Sequence, residues 1–433
     1  MRPEDYYDVT PRIVPADRET LIEIRPLYEH VRFRNDAGYR VTCYPLEEYA
    51  LRSGWPEGAD VILRPTDGAL RLSRYFENEQ EHLLHVEEIV EGAADRTIGE
   101  FRIYSLTDDL YRRRPYKGDL HIHSYRSDGR ESPGYVAAAA RGIGLDFMAV
   151  TDHHLYAPSL EAQQAFDGVK IDLRIYPGEE VHPPGNPVHM INFGGRFSLN
   201  EMFSGNTYWA EVQALQDRLG PLSPGVDPYQ YASCCWCFDR IRQAGGLGIF
   251  CHPYWFTQRR YAPSGALTGH LFQEQPYDAF ELLGGYFTHE EDSNTLQVAR
   301  YHDERARGRQ IPIVGVSDAH GCERGELFGW FYTIVFAPST DLPDLITSIK
   351  DLYSVAVAAL PGETVRAYGP FRYVKYALFL LREALPLHDA LCVEESRLMR
   401  EHLAGDATAA DRLADLSGRT AALLERCWGR VAS

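Results

Sequence analysis

The middle of the chain, from about residue 117 to 340, predicts an α/β fold built on a parallel sheet or barrel. A small antiparallel β domain is expected before it and a helical region after it. Two observations carry the α/β expectation. Short, continuous apolar runs alternate with amphipathic segments, the pattern of strands buried on both faces and joined by crossover helices. Clusters rich in histidine and aspartate follow those runs, at the strand ends where barrels and open α/β folds place their chemistry. The organisation expected is 1–114 as a β-rich N-terminal domain, 115–340 as the barrel with an insertion at about 196–232, and 341–433 as a helical C-terminal region.

The N-terminal part reads as short strands: "LIEIRPL", "YRVTCYPL", "DVILRP", "ALRLSRYF" and "IGEFRIYSL" mix alternation with β-branched and aromatic residues. Asp67-Gly68 predicts a hairpin between "VILRP" and "ALRLS". The whole fits a small sandwich. "YRRRPYKG" then reads as a linker, with Arg112, Arg113 and Arg114 more easily explained as solvated charges than as a phosphate contact.

The rhythm then changes to strand, loop, helix. In "SPGYVAAAARGIG", Ser132 fits an N-cap, Pro133 the first helical position and Gly142 the end. "DFMAVTDHH" is a buried strand running into polar residues. "FDRIRQAGG" predicts a helix, "LGIFCHP" and "AFELLGG" strands, "SNTLQVARYHDERARGR" a helix and "IPIVGVSDAH" a strand. The Gly/Pro-rich residues 196–232 interrupt this order and predict an insertion near the site or a lid. From about 342 the chain turns helical, beginning with "LPDLITSIKDLYSVAVAAL".

Composition narrows the function. A 433-residue chain with 44% hydrophobic and 12% aromatic residues has material for a substantial core. A net charge of −18 argues against long nucleic acids and anionic membranes, though a small phosphorylated substrate could be met locally by metal ions. No run approaches 18 apolar residues and the N-terminus lacks a secretory pattern, so a cytoplasmic protein is expected. Eight scattered cysteines do not resemble a disulfide scaffold. "CCWC" (Cys234, Cys235, Cys237) lacks a second ligand pair, so buried structural thiols are the better reading.

The chemistry sits at the strand ends: His121-x-His123, Asp128, Asp152-His153-His154, Glu180, His189, His252 and Asp318-x-His320. Residues i and i+2 of a strand project to one side, so HxH and DxH each aim two ligands at one point. Imidazole and carboxylate suit zinc, manganese or iron, and Glu180 has two oxygens with which to bridge two ions. One such histidine is more often a satisfied polar residue than a ligand; convergence from five strand ends is another matter.

"GDLHIHSYRSDG", "TDHH", "PGEEV", "VHMINFG", "FCHP" and "GVSDAH" resemble the successive motifs of the PHP (polymerase and histidinol phosphatase) superfamily over roughly residues 115–325. The opening motif after a β-rich domain is most similar to the CehA/McbA-like branch. The resemblance implies a distorted (β/α)7, TIM-like barrel with two or three divalent ions, manganese, iron or zinc, at its mouth. It implies His121, His123, Glu180 and Asp318 on one metal, Asp128, His153 and His320 on a second, and Glu180, His189 and His252 on a third. Glu180 rather than the adjacent Glu179 fits "PGxE", and His189 has a better strand context than His182.

The expected function is a metal-dependent phosphoesterase, with metal-bound hydroxide attacking a small phosphorylated substrate at a di- or trinuclear site. His154 or His182 is the candidate general acid, Asp152 an orienter of a ligand histidine, and Arg126 the candidate phosphate cation, ahead of Arg130 and Arg324. Tyr125, Tyr156, Tyr254 and Trp255 lie beside ligand motifs and could wall a pocket. Two alternatives stay open: a carboxylester, carbamate or amide hydrolase on the same metals, and a non-catalytic metal-containing binding module. The sequence also leaves open a homo-oligomer.

Overall fold

The structure, a computed structural model, describes residues 3–47, 60–287, 290–323 and 327–429. The protein is a mixed α/β chain in two compact units. One comprises the described residues of Met1–Arg114, Phe379–His388 and Gly418–Ser433; the other comprises those of Pro115–Leu378 and Asp389–Ser417.

The first unit holds β1 (Tyr7–Thr10), β2 (Ile13–Pro15), β3 (Arg18–Pro26), β4 (Tyr39–Pro45), β5 (Asp60–Leu63), β6 (Leu70–Phe76), β7 (Glu81–Glu88) and β8 (Arg96–Leu106). They form two sheets, β1-β3-β6 and β2-β8-β7-β4-β5, antiparallel throughout except for the β2–β8 pair. Both contribute to one core, which includes Ile22, Ile24, Tyr39, Val41, Leu72, Phe76, Leu84 and Phe101. Asp67-Gly68 does make a tight turn, with φ of 50° and 73° and Thr66 and Ala69 exchanging backbone hydrogen bonds of 2.9 and 3.1 Å. The expected hairpin nevertheless does not form. β5 pairs with β4 and β6 with β3, so the turn passes the chain from one sheet to the other.

The second unit holds β9 (Arg114–Asp119), β10 (Phe147–Ala149), β11 (Arg174–Tyr176), β12 (Gly178–Val181), β13 (Met190–Phe193), β14 (Leu247–Phe250), β15 (Trp255–Thr257), β16 (Arg260–Ala262), β17 (Ala279–Leu283), β18 (Ile313–Gly315), β19 (Phe331–Ala337), β20 (Ser354–Ala358) and β21 (Arg366–Tyr368). One sheet runs β11-β10-β9-β19-β20-β21, a second β12-β13-β14-β17-β18, and β15-β16 is a separate hairpin. Two isolated parallel bridges, Ile122–Ala319 and His153–Glu180, connect the strand ends of the two large sheets. β10, β12, β13, β14, β17 and β18 are buried along their whole length, β10, β14 and β18 as apolar runs and β12, β13 and β17 with Glu179, Glu180, Asn192 and Glu281 carried into the interior. Their inner residues (Phe147, Ile191, Ile249, Val314) share one core. β12–β13 and β13–β14 are antiparallel, so the sheet is mixed rather than wholly parallel.

The helix Pro133–Gly142 starts as the sequence predicts: the Ser132 hydroxyl accepts from the Tyr135 amide, with Pro133 at the first position. Beyond 341 the chain is helical over Leu342–Lys350, Phe371–Glu383, Leu385–Leu403, Ala409–Leu416 and Arg419–Cys427. "SVAVA", expected within a helical stretch, is instead β20: all five residues are buried and pair antiparallel with β19. Among the described residues, no helix is long and apolar enough to cross a membrane.

Candidate metal centre

Two strand-end pairings build the site. β9 runs on into His121-Ile122-His123, which lies against the segment after β18: the Asp318 amide donates to the His121 carbonyl (2.8 Å) and the His123 amide to the Ala319 carbonyl (2.9 Å). Extended backbone sends alternate side chains to opposite sides, so His121 and His123 share one side while Ile122 is buried on the other. The second pairing sets His153 beside Glu180, with the His154 amide donating to the Glu180 carbonyl (3.2 Å). His154, His252 and Asp318 have φ of 61°, 22° and 52°, sparsely populated values for residues with a Cβ and the kind that cluster at functional sites.

Glu180 is the centre of the arrangement and is fully buried. Its Oε2 lies 2.5 Å from His153 Nδ1, 3.4 Å from His182 Nε2 and 3.6 Å from both His121 Nε2 and His123 Nε2. Its Oε1 lies 2.8 Å from His189 Nδ1 and 3.5 Å from His252 Nε2. Asp318 Oδ1 is 2.8 Å from His123 Nε2 and 3.1 Å from His121 Nε2. Asp128 reaches His320 Nε2 through Oδ1 (3.3 Å) and His153 Nε2 through Oδ2 (3.5 Å). All nine expected ligands thus come together. Groups of three or four with atoms close enough to share an ion include His121–His123–Glu180, His121–His252–Asp318 and His123–Asp128–His153–His320.

His123 Nε2 is hydrogen-bonded to Asp318 Oδ1 (2.8 Å) and His153 Nδ1 to His182 Nε2 (2.9 Å), but much of the cluster is close without being hydrogen-bonded. Both Glu180 oxygens, His121 Nε2, His123 Nδ1 and His189 Nδ1 are buried with no hydrogen-bond partner. An unsatisfied buried polar atom costs roughly 1–3 kcal/mol, and more when charged, so five in one cluster demand another partner. Nitrogen and carboxylate lone pairs that converge without aligning on one another fit divalent cations. The electrostatics agree. Burial alone would raise the Glu180 carboxyl, yet His189 and His121 hold it well below the usual carboxylate range. Asp318 is also buried but is held far below its ordinary value, chiefly by His121 and His123. Burial opposes charging His121, but Asp318 and Glu180 outweigh it and raise the imidazole well above its ordinary value, so a proton offsets the carboxylates until a metal ion displaces it. Both carboxylates are therefore ionised, the state a metal ligand needs.

Groups around the ligands fix their aim. Glu281, on β17, places Oε2 3.1 Å from His121 Nδ1, and the His320 Nδ1 nitrogen lies 2.8 Å from the Asp318 carbonyl. Each contact suits a proton on Nδ1 and leaves Nε2 facing the cluster. Asp119 accepts from the amides of His121 (3.2 Å) and Ser317 (3.1 Å), tying the two ligand segments together; burial pushes its carboxyl up to about 7. Glu179 points away from Glu180 and accepts from Ser198, Leu199, Asn200 and Asn192. Asp152 does not orient a histidine as expected. It accepts from the Ser124 amide (2.8 Å) and hydroxyl (2.5 Å) and from Ser127, so it shapes the loop that carries Asp128.

The remaining expectations divide. His182 is in the cluster, 2.9 Å from His153 Nδ1, and His154 is exposed with its ring 4.2 Å from that of His182. The Arg126 guanidinium is bonded to Glu161 (2.9 Å) and lies over the Tyr125 ring, whereas Arg130 is exposed and without a side-chain partner among the described residues. The Arg130 chain runs over Gly321, next to His320: a Cβ on that glycine would meet Arg130 Cδ at 3.0 Å. Arg324 lies outside the described residues. Of the four aromatic residues, Trp255 faces the ligands, 5.7 Å from the His189 ring and 6.2 Å from the His252 ring. Tyr156 instead bonds the Gly195 carbonyl. The insertion supports the His182 loop: Asn200 accepts from the His182 amide (3.1 Å), Tyr229 donates to the Pro184 carbonyl, and Asn186 donates to the Gln230 carbonyl (2.9 Å). Cys234, Cys235 and Cys237 lie on the helix Pro228–Gln243 as unpaired thiols, and burial pushes Cys234 up to about 12.

Sequence reasoning missed Glu281 and Asp119. Both carried a signal, a lone carboxylate in or ending an otherwise buried strand ("AFELL", "YKGDL"). No protein-family model matches the chain, and no curated protein does. Among solved structures it is similar to a two-domain protein from Bacteroides vulgatus containing a predicted PHP-like metal-dependent phosphoesterase, with 17% identity over 57% of this chain and 65% of that one and a TM-score of 0.38. It is also similar to an amidohydrolase from Chromobacterium violaceum, with 21% identity over 47% of this chain and 87% of that one and a TM-score of 0.29. The chain thus spans just under two thirds of the first of these. The solved structures similar to this chain thus include a predicted PHP-like metal-dependent phosphoesterase and an amidohydrolase.

Proposed function

We propose that the protein is a metal-dependent phosphoesterase acting on a small phosphorylated molecule, and that residues 115–340 form the distorted (β/α)7 barrel of a PHP hydrolase of the CehA/McbA-like kind. The two bridges support the barrel, since they link β10 to β12 and β9 to β18 and so close a ring of strands. One observation carries the function: Glu180 is buried with its two oxygens divided between two sets of imidazoles, His121–His123–His153 on one side and His189–His252 on the other, and neither oxygen is hydrogen-bonded. That is the stance of a carboxylate shared by two cations. His121, His123, Glu180 and Asp318 would hold one ion, Asp128, His153 and His320 a second, and Glu180, His189 and His252 a third. Bound divalent ions (manganese, iron or zinc) supply Lewis acidity toward phosphoryl oxygens and activate water near neutral pH.

The chain's own residues supply the rest. His182, with Nε2 2.9 Å from His153 Nδ1, and the exposed His154 beside it form a proton path from solvent to the leaving oxygen. Burial and the neighbouring imidazoles lower both, so near neutral pH each is mostly neutral and relays a proton rather than storing one. Arg130 meets phosphoryl charge; Arg126 would serve there by exchanging Glu161 for substrate. The eight cysteines form no disulfide, which suits a reducing compartment, and the proposal places the protein in the cytoplasm.

The test is a panel of phosphomonoesters, phosphodiesters and aryl carbamates with manganese-loaded wild type, His123→Ala and Glu180→Gln. Phosphate release that both substitutions abolish, in variants with wild-type circular dichroism, is expected. Carbamate turnover without phosphate release would replace the proposal by a carbamate hydrolase, and bound metal without turnover by a binding module.

A further inference from the structure

We propose that the hairpin β15–β16 is the specificity element of the site and selects an aromatic phosphate ester that carries a second anionic group, stacking its ring on Trp255 and pairing the extra charge with Arg260. The substrate class rests on the phosphoesterase reading; the hairpin's role as a recognition element does not.

The hairpin follows the ligand His252 after two residues, and the Trp255 amide donates to the His252 carbonyl (3.0 Å). Its two-residue turn, Gln258-Arg259, has φ of 49° and 65°, the left-handed pair that matches the twist of tightly paired strands. The register is Trp255–Ala262, Phe256–Tyr261 and Thr257–Arg260. Directly opposed residues share a face, and faces alternate along a strand. Trp255, Thr257, Arg260 and Ala262 therefore occupy one face, and Phe256 and Tyr261 the other. The contacts agree: Phe256 and Tyr261 pack on each other (5.9 Å) and Tyr261 on Tyr254 (5.8 Å), whereas Trp255 lies against His189 and His252. The face that meets the metal ligands is thus the one bearing Arg260, two residues, or about 7 Å, further along the hairpin.

Two features call for a ligand. Trp255 is 37% exposed beside a polar cluster, an arrangement that leaves one face of a large ring in water. Arg259 and Arg260 are exposed and make no side-chain hydrogen bond or ion pair among the described residues. Elsewhere in the same unit Arg126 pairs with Glu161, Arg141 with Asp146 and Glu395, and Arg242 with Asp278, while Arg130, Arg174 and Arg196 are exposed without a side-chain partner among the described residues; what sets Arg260 apart is its place on the hairpin face that carries Trp255. In a chain of net charge −18, free cations beside an acidic cluster are where an anion is admitted. An indole and a guanidinium anchored on backbone positions about 7 Å apart on one face match a substituted aryl group with its phosphate toward the ligands and its second charge toward the tip.

The test compares wild type, Trp255→Ala, Arg260→Ala and Arg259→Ala, all manganese-loaded. Turnover is measured on 4-carboxyphenyl phosphate, phenyl phosphate and glycerol phosphate; binding is measured by calorimetry with the non-hydrolysable 4-carboxyphenyl phosphonate. Wild type is expected to prefer the carboxylated aryl ester. Arg260→Ala should weaken phosphonate binding about 10-fold and erase the preference for the carboxylate, the loss appearing mainly in KM. Trp255→Ala should erase the aryl-over-glycerol preference by a similar factor, and Arg259→Ala, at the turn, should change neither. Equal effects of the two arginines, or an unselective loss with Trp255→Ala, would overturn the proposal. So would wild type that hydrolyses all three esters alike and does not bind the phosphonate. Selective phosphonate binding without hydrolysis would instead sink the phosphoesterase reading and leave the hairpin as the recognition element.

Discussion

Removing the Glu281 carboxylate tests whether the ligands are aimed by their surroundings. Glu281 is fully buried, and its Oε2 lies 3.1 Å from His121 Nδ1. With the proton held there, His121 Nε2 is left as a lone pair facing Asp318 (3.1 Å) and Glu180 (3.6 Å). Glu281→Ala frees the ring to rotate or to change tautomer. Loss of such a partner weakens metal binding about 10- to 100-fold, equivalent to about 1.4–2.7 kcal/mol. Glu281→Gln keeps an acceptor of the same shape and removes the charge, so its loss should be smaller, about 3- to 10-fold. The assay is competition for manganese or zinc against a chromogenic chelator, with circular dichroism to check the fold. Wild-type affinity in the alanine variant would refute the argument. Loss of a whole metal equivalent at unchanged affinity for the others would also refute it, by making Glu281 a ligand together with His121 and Cys251.

Other predictions follow from the same geometry. Chelation should lower the melting temperature of the second unit, because ions at 100 times their dissociation constant add about 2.7 kcal/mol per site; an unchanged melt would contradict a metal-loaded native state. Glu179→Ala should destabilise the fold by about 3 kcal/mol or more, since four donors lose their carboxylate, while metal stoichiometry at low temperature stays at the wild-type value. In the first unit, burial lowers the His82 imidazole to about 4. Between pH 6.5 and 4 the unfolded chain takes up a proton that the folded chain refuses, so stability falls as pH drops through that window, by about 3 kcal/mol in all. Urea unfolding at pH 7 and pH 5 should show the loss in wild type and a flatter dependence in His82→Gln; equal slopes would remove His82 as the cause.

The ligands were legible because strand alternation is local. HxH determines its own facing residues, and DxH was legible from its place where a buried apolar run meets polar chain, although Asp318 itself lies past the end of β18 in the left-handed region. What depended on distant partners was not. The sequence favours Arg126 over Arg130 because it lies between two ligands, and only Glu161, brought near by the helix Ala157–Gln164, shows that the Arg126 guanidinium is already engaged. Asp152 sits beside a ligand histidine but its acceptors are used by Ser124 and Ser127. β7 escaped notice although its burial alternates strictly, because two of its four buried positions are His82 and Glu88. β20 has the alanine content of a helix, and its pairing with β19 decides the matter. The Asp67-Gly68 turn was read correctly as a turn; which sheets its flanks join depends on contacts far along the chain. The recognition face of the hairpin likewise emerges only from the register of β15 and β16.

The most direct test of the central claim is an anomalous difference map from crystals of the manganese-loaded protein. The account predicts separate peaks on the two sides of the Glu180 carboxylate, one toward His121 and His123 and one toward His189 and His252. Glu180→Gln should weaken both while leaving a peak at Asp128, His153 and His320. A single peak away from Glu180, or none after loading, would contradict a carboxylate-bridged metal centre.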